Sequence, residues 1–171
     1  SLKAYIDRHG VGGRSYYSFD RGGCHFVILD TNTALADPNS ANDQLAWLAK
    51  DLAAAKDALH VFLFYHHPLW GNRTIWPRLE KLLDPARTTI FNGHWHQLRQ
   101  GPDDETKIPT YVIGSTGGLI KEIRRETGEF FMFAQVTVDK GKPTIALLPA
   151  GAVMGTEFAK FAGDVAELIA V

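Results

Sequence analysis

Three histidines stand where a buried sheet delivers side chains to one place. Val61-Phe62-Leu63-Phe64-Tyr65 is a continuous apolar run, too short for a helix, and His66-His67-Pro68 follows it directly. Thr88-Thr89-Ile90-Phe91-Asn92 reads as another strand, followed by Gly93-His94-Trp95-His96. A short continuous apolar run suits a strand buried on both faces. In α/β sheets, ligand sites lie just beyond the carboxyl ends of strands. Two adjacent parallel strands would bring His66, His94 and His96 within reach of one another. Imidazole is the commonest metal ligand and suits divalent transition ions. An extended His-x-His pair points both rings to one side, whereas a bent loop aims them at two metals. Gly93 is expected to let the backbone turn sharply after its strand. His9, His25, His60 and His67 are compatible with ordinary structural roles.

The elements that must position these residues follow from the surrounding pattern. Gly10, Gly12 and Gly13 mark the first stretch as a loop. Tyr16-Tyr17-Ser18-Phe19-Asp20 and His25-Phe26-Val27-Ile28-Leu29-Asp30, joined by Arg21-Gly22-Gly23, read as a hairpin. Ser40 and Asp43 have capping-box spacing, which starts a helix there. Leu45, Leu48, Leu52 and Ala55 give it one apolar face, which Trp47 extends. A second helix starts near Trp76-Pro77, turns Leu79, Leu82 and Leu83 inward, and ends at Asp84-Pro85. Residues 25–92 thus alternate strand and helix, the mark of an α/β domain. Gln100 to Lys107 is a polar loop. Strands at 110–114, 130–138 and 144–148 read as an antiparallel portion, and 157–171 as short terminal helices.

Composition sets outer bounds. The 171 residues are 45% hydrophobic and 22% charged, with a formal net charge of −1. That is ordinary for a globular chain and unlike a disordered one. Length suggests a single domain over 1–171. The charge balance argues against a nucleic-acid patch or an acidic-membrane binder. The strongest basic cluster, Lys121-Glu122-Ile123-Arg124-Arg125, is interrupted by acid and reads as a solvated face. No apolar run approaches the roughly 18 residues of a membrane helix, so the chain reads as soluble, with its compartment undetermined. The single cysteine, Cys24, has no obvious activator and reads as structural.

Tyr65-His66-His67-Pro68 and Gly93-His94-Trp95-His96 resemble the last two metal motifs of the calcineurin-like metallophosphoesterases, which include the purple acid phosphatases. The hairpin of residues 16–30, the stretch Gln44-Leu45-Ala46-Trp47-Leu48 and Ile113-Gly114-Ser115-Thr116-Gly117-Gly118 match the linking pattern. The resemblance covers roughly residues 14–118. It implies a β-sandwich flanked by helices and a two-metal site, built with Zn, Mn or Fe, that hydrolyses a phosphomonoester or phosphodiester. His66 and His94 map to ligands of one metal and His96 to a ligand of the other. His67, Asn72 and Arg73 become candidates to contact a phosphate oxygen. Trp70 and Trp95 either line a substrate cleft or cover core.

The departure from the family is large. Of its first three motifs, Gly-Asp-x-x-Asp and Gly-Asn-His-Asp/Glu are absent, and the one Asp-x-His tripeptide, Asp7-Arg8-His9, stands directly before the Gly10 loop with neither of them after it. The bridging carboxylate, a second carboxylate, an Asn, a ligand His and the usual catalytic His go with them. The chain is therefore expected to correspond to the C-terminal half of a phosphoesterase domain, incomplete at its N-terminal side. Asp30 and Asn32 are conceivable replacement ligands, but a strand-end Asx cap is the favoured reading. Three neutral imidazoles hold one zinc in a tetrahedral site and supply no negative charge, so at most one ion is expected to bind well. Missing neighbours leave open strand edges, for which a homo-oligomer or a partner segment is the expected cover. The rival readings are a non-catalytic half-domain and a mononuclear His₃ zinc hydrolase.

Overall fold

A computed structural model describes residues 2–101, 107–120, 123–149 and 154–155. In chain order the elements are α1 (Leu2–His9), β1 (Tyr17–Arg21), β2 (Cys24–Ile28), α2 (Thr31–Ala36), α3 (Pro38–Ala54), β3 (His60–Phe64) and α4 (Trp76–Glu80). They continue with β4 (Thr88–Asn92), β5 (Arg99–Gln100), β6 (Thr110–Val112), β7 (Met132–Asp139), β8 (Lys142–Pro149) and β9 (Met154–Gly155). Six strands form one sheet in the order β1-β2-β3-β4-β6-β5, and three form a second, β7-β8-β9. In the first sheet β2, β3, β4 and β6 run parallel, with β1 and β5 antiparallel at the edges.

Side-chain alternation along the central strands builds two cores. Val61, Leu63 and Tyr65 join Ala41, Leu45, Leu48 and Leu79 on the helical side. Phe62 and Phe91 instead pack with Met132, Ile145 and Leu147 of the second sheet. Because both faces are covered, β3 and β4 carry apolar residues at successive positions. Helices, mixed sheet and antiparallel sheet stack as layers, giving the metallophosphoesterase-like α/β fold that the resemblance implied.

Several local expectations are corrected. Residues before Gly10 form α1 rather than a loop. The first long helix begins at Pro38, not at Ser40, because Asp37 caps it by accepting from the Asn39 N–H at 2.9 Å. An Asp N-cap followed by Pro at the first turn outweighs the Ser40/Asp43 spacing. The unforeseen α2 is nucleated by Asp30, whose Oδ1 accepts from the Asn32 and Thr33 N–H groups. The strand at 110–112 joins the first sheet parallel to β4, and only β7 to β9 form the separate antiparallel sheet. The helix at Trp76 is a short segment; Leu79 and Leu83 are buried, while Leu82 is partly so. Residues 157–171, read as terminal helices, lie outside the described residues.

His25 ties the hairpin to α3. Its Nδ1 lies 2.8 Å from Asp20 and its Nε2 2.9 Å from Asp51, while the Ser18 hydroxyl donates to Asp51 at 2.7 Å. The Asp51 side chain is 17% exposed and that of Asp20 77%. Asp51→Ala is expected to cost about 2 kcal/mol, as for a partly buried charge-assisted hydrogen bond. Asp20→Ala is expected to cost less than about 1 kcal/mol, because its carboxylate is exposed. Urea denaturation of both variants checks the ranking, and equal losses would contradict it.

Among the described residues, strand β7 pairs with another strand along one edge only. It pairs with β8 along its length, while its other side shows one bridge among the described residues, Ser115 to Phe131, just before the strand. Phe133, 56% exposed, and the exposed Val136 and Val138 lie on this strand.

Candidate metal centre

The two histidine loops leave adjacent parallel strands and are joined backbone to backbone. The Tyr65 N–H donates to the Phe91 carbonyl at 3.2 Å, and the Gly93 N–H donates to the His66 carbonyl at 3.0 Å. The Asn92 amide adds a bond to the Tyr65 carbonyl at 3.2 Å. Pairing thus continues past the formal ends of β3 and β4 and sets both loops in one register. A side chain at Gly93 would lie against the His66 imidazole, with its Cβ 3.4 Å from Nδ1.

Left-handed backbone appears on the histidines themselves: φ is 74° at His94 and 54° at His96, whereas Gly93 is not among the positive-φ residues. The expected glycine turn is therefore replaced by turns at His94 and His96. Non-glycine residues in this region are uncommon, and such backbone clusters at functional sites. The bend separates the His-x-His pair, sending its two rings to different partners.

His66, His67 and His94 each offer a ring nitrogen within 4.8 Å of the others. His94 Nδ1 is 3.3 Å from His66 Nε2, and the His67 and His94 ring centroids are 4.2 Å apart. His96 is not in this group, and its Nδ1 donates to the Leu119 carbonyl at 2.7 Å. Gly118 makes room for it, since a Cβ there would lie 2.9 Å from His96 Cε1. Among the described residues no Asp or Glu joins the three-histidine group.

The electrostatics suit a neutral ligand set. Burial lowers the His66 pKa, and the neighbouring His94 and His96 lower it further. Burial, His94 and His66 lower that of His67, with Asp30 opposing. Neutral rings present the lone pairs a metal needs.

The remaining candidates fall elsewhere. The Asp30 carboxylate is spoken for, because Oδ1 caps α2 and Oδ2 accepts from the Ser15 hydroxyl at 2.6 Å. Gln44 holds the Asp30 backbone at both its N–H and its carbonyl. Asn72 Oδ1 accepts from the Thr74 and Ile75 N–H groups, and Asn72 lines a pocket with Arg78 and Ala41. Arg73 is exposed. Trp70 packs on the helical core and meets the exposed Trp95 edge-on at 5.3 Å. Burial pushes the Cys24 thiol up, as expected of a structural cysteine. Two cavities flank His66. One of about 470 Å³ includes Phe64, Asn92, Gly93 and Phe133 in its lining, and one of about 580 Å³ includes Ser15, Asp30, Thr31 and Asn32. Sequence reading missed Thr31, which touches His67 across 36 positions, and weighed His67 only for a phosphate or a loop contact.

Fold and histidine cluster together define a metallophosphoesterase-like α/β chain. Comparison with known proteins narrows this to a relationship with the purple acid phosphatases over a partial region. The chain is 36% identical over 146 residues to purple acid phosphatase 23 of Arabidopsis thaliana, covering 72% of this chain and 31% of that relative. It is 35% identical over 129 residues to purple acid phosphatase 15 of the same plant, covering 66% and 24%. The chain thus spans about a quarter to a third of the length of these curated relatives. No protein-family model matches it.

Proposed function

We propose that this chain is the histidine-bearing portion of a metal-dependent phosphoester hydrolase. The observation that carries the reading is the convergence of His66, His67 and His94 beyond the ends of β3 and β4. By the resemblance, His66 and His94 are ligands of one divalent ion, Zn, Mn or Fe, and His96 maps to a ligand of a second ion, which this chain by itself is not expected to hold. A bound divalent ion supplies Lewis-acid stabilisation of phosphoryl charge and lowers the pKa of water. The chain's own part is to hold neutral imidazoles at a fixed register and to shape the two cavities beside them. His67, beside the metal ligands, and the exposed Arg73 are proposed to orient phosphate oxygens. Asn72 is proposed to act through the loop it braces. The substrate is a phosphomonoester or a phosphodiester.

Metal-loaded protein should hydrolyse p-nitrophenyl phosphate or bis(p-nitrophenyl) phosphate. Chelation should stop turnover, and metal should restore it. No turnover from protein that demonstrably holds metal would overturn activity of this chain by itself. That result would favour a half-domain awaiting carboxylates from another segment, a reading supported by the carboxylate-free cluster.

The edge of β7 that no described strand covers supports self-association or docking of another strand, since unpaired backbone groups beside exposed apolar side chains template pairing. Light scattering is expected to give a mass above one chain. Phe133→Lys with Val136→Lys should return it to one chain. A monomer before substitution would contradict this. Among the described residues, no helix is long and apolar enough to cross a membrane.

A further inference from the structure

We infer that His67 is the third ligand of a single zinc-class cation held with His66 and His94, that Thr31 sets its tautomer, and that His96 lies outside this set. The inference rests on the metal-centre reading above and changes its ligand set, moving His67 from phosphate contact to metal ligation. Zinc–nitrogen bonds of about 2.0–2.1 Å in a tetrahedron place neighbouring nitrogens roughly 3.3–3.4 Å apart. His94 Nδ1 and His66 Nε2 already stand at 3.3 Å. The three ring centroids form a closed triangle of 4.2, 4.8 and 5.1 Å, so His67 is as near to the other two as they are to each other.

Thr31 holds His67 at two points. Its Oγ1 accepts from the His67 backbone N–H at 3.0 Å and lies 3.0 Å from His67 Nδ1. A hydroxyl oxygen has two lone pairs, so it can accept from the backbone and from Nδ1–H together. In the tautomer with Nδ1–H donating to Thr31, Nε2 is the lone-pair nitrogen. A ligating histidine commonly donates its other ring N–H in this way, which orients the ring and raises its basicity. Thr31 is buried and sits at the start of α2, beside the Asp30 cap, so its hydroxyl is fixed by the fold. His96 is oriented by a different group, the Leu119 carbonyl, on the Gly118 side. Three imidazoles without a carboxylate select zinc, cobalt or copper over manganese, magnesium and calcium.

The test is a titration of metal-free protein with Co²⁺, read by its visible absorption, then displacement by Zn²⁺, with circular dichroism confirming the fold of each variant. Wild type should bind one cobalt with tetrahedral absorption. His67→Ala should weaken binding by roughly 100-fold or more, beyond the roughly 10–100-fold expected for Thr31→Val. His96→Asn, chosen because φ is 54° there, should stay within about threefold of wild type, since it removes no ligand of this ion. Loss in His96→Asn, with or without loss in His67→Ala, would overturn the inference and leave the metal-centre reading standing. Wild-type affinity in His67→Ala would do the same. Failure of wild-type protein to bind cobalt or zinc would overturn the metal-centre reading itself.

Discussion

His94→Asn is expected to abolish metal binding and hydrolysis together while leaving the fold intact. His94 contacts both other members of the group, its Nδ1 standing 3.3 Å from the His66 nitrogen and its ring centroid 4.2 Å from that of His67. Its removal leaves two imidazoles, too few for a tetrahedral protein site. The expected loss of zinc affinity is roughly 100-fold or more, above what an outer-sphere change produces. Asparagine is the informative replacement because φ is 74° at this position. Asn tolerates left-handed backbone, whereas alanine would add strain of its own. Calorimetric zinc titration beside a thermal melt separates the two effects. An unchanged melt with undiminished zinc binding would remove His94 from the ligand set.

Phe62→Ala is expected to be the most damaging single change to the fold. Phe62 is 1% exposed and lies between the sheets with Phe91, Met132 and Leu147. It also stacks with Phe26 at a centroid distance of 5.2 Å. Truncating such a ring removes apolar burial and leaves a cavity, together about 3–5 kcal/mol. Domains are stable by only about 5–15 kcal/mol, so a large share of the margin goes with it. The midpoint of thermal unfolding should fall by roughly 10 °C. Phe19→Ala is the control: Phe19 stacks on Phe26 but is 49% exposed, and a shift of a few degrees at most is expected. Comparable shifts in the two variants would mean that the sheets do not pack across Phe62.

The parts of the fold legible in the sequence are those written in local pattern. Strand β4 falls on Thr88–Asn92 as read, because its run is bounded by Pro85 on one side and Gly93 on the other. Strand β3 and the β1–β2 hairpin fall within a residue or two for similar reasons. What was not legible depends on distant partners. Strand β6 looks like the start of an antiparallel meander in sequence, yet it lies in the first sheet between β4, parallel, and β5, antiparallel. Helix α2 is too short to show a period and exists because Asp30 caps it. Of the candidate site, His66 and His94 were legible from their place after buried strands. The tie between Thr31 and His67 was not, since nothing local marks a hydroxyl that will meet a ring 36 residues away. The parting of His94 from His96 was left open by spacing alone and is decided by their left-handed backbone.

Metal content per chain tests the account most directly. The protein is loaded with zinc, desalted and analysed for zinc against protein concentration, with His94→Asn treated alongside. The account predicts one zinc per chain in the wild type and close to none in the variant. Two ions per chain would mean that carboxylates outside the three-histidine group complete a second site, and no retained zinc would mean that the group is not a metal centre; either contradicts it.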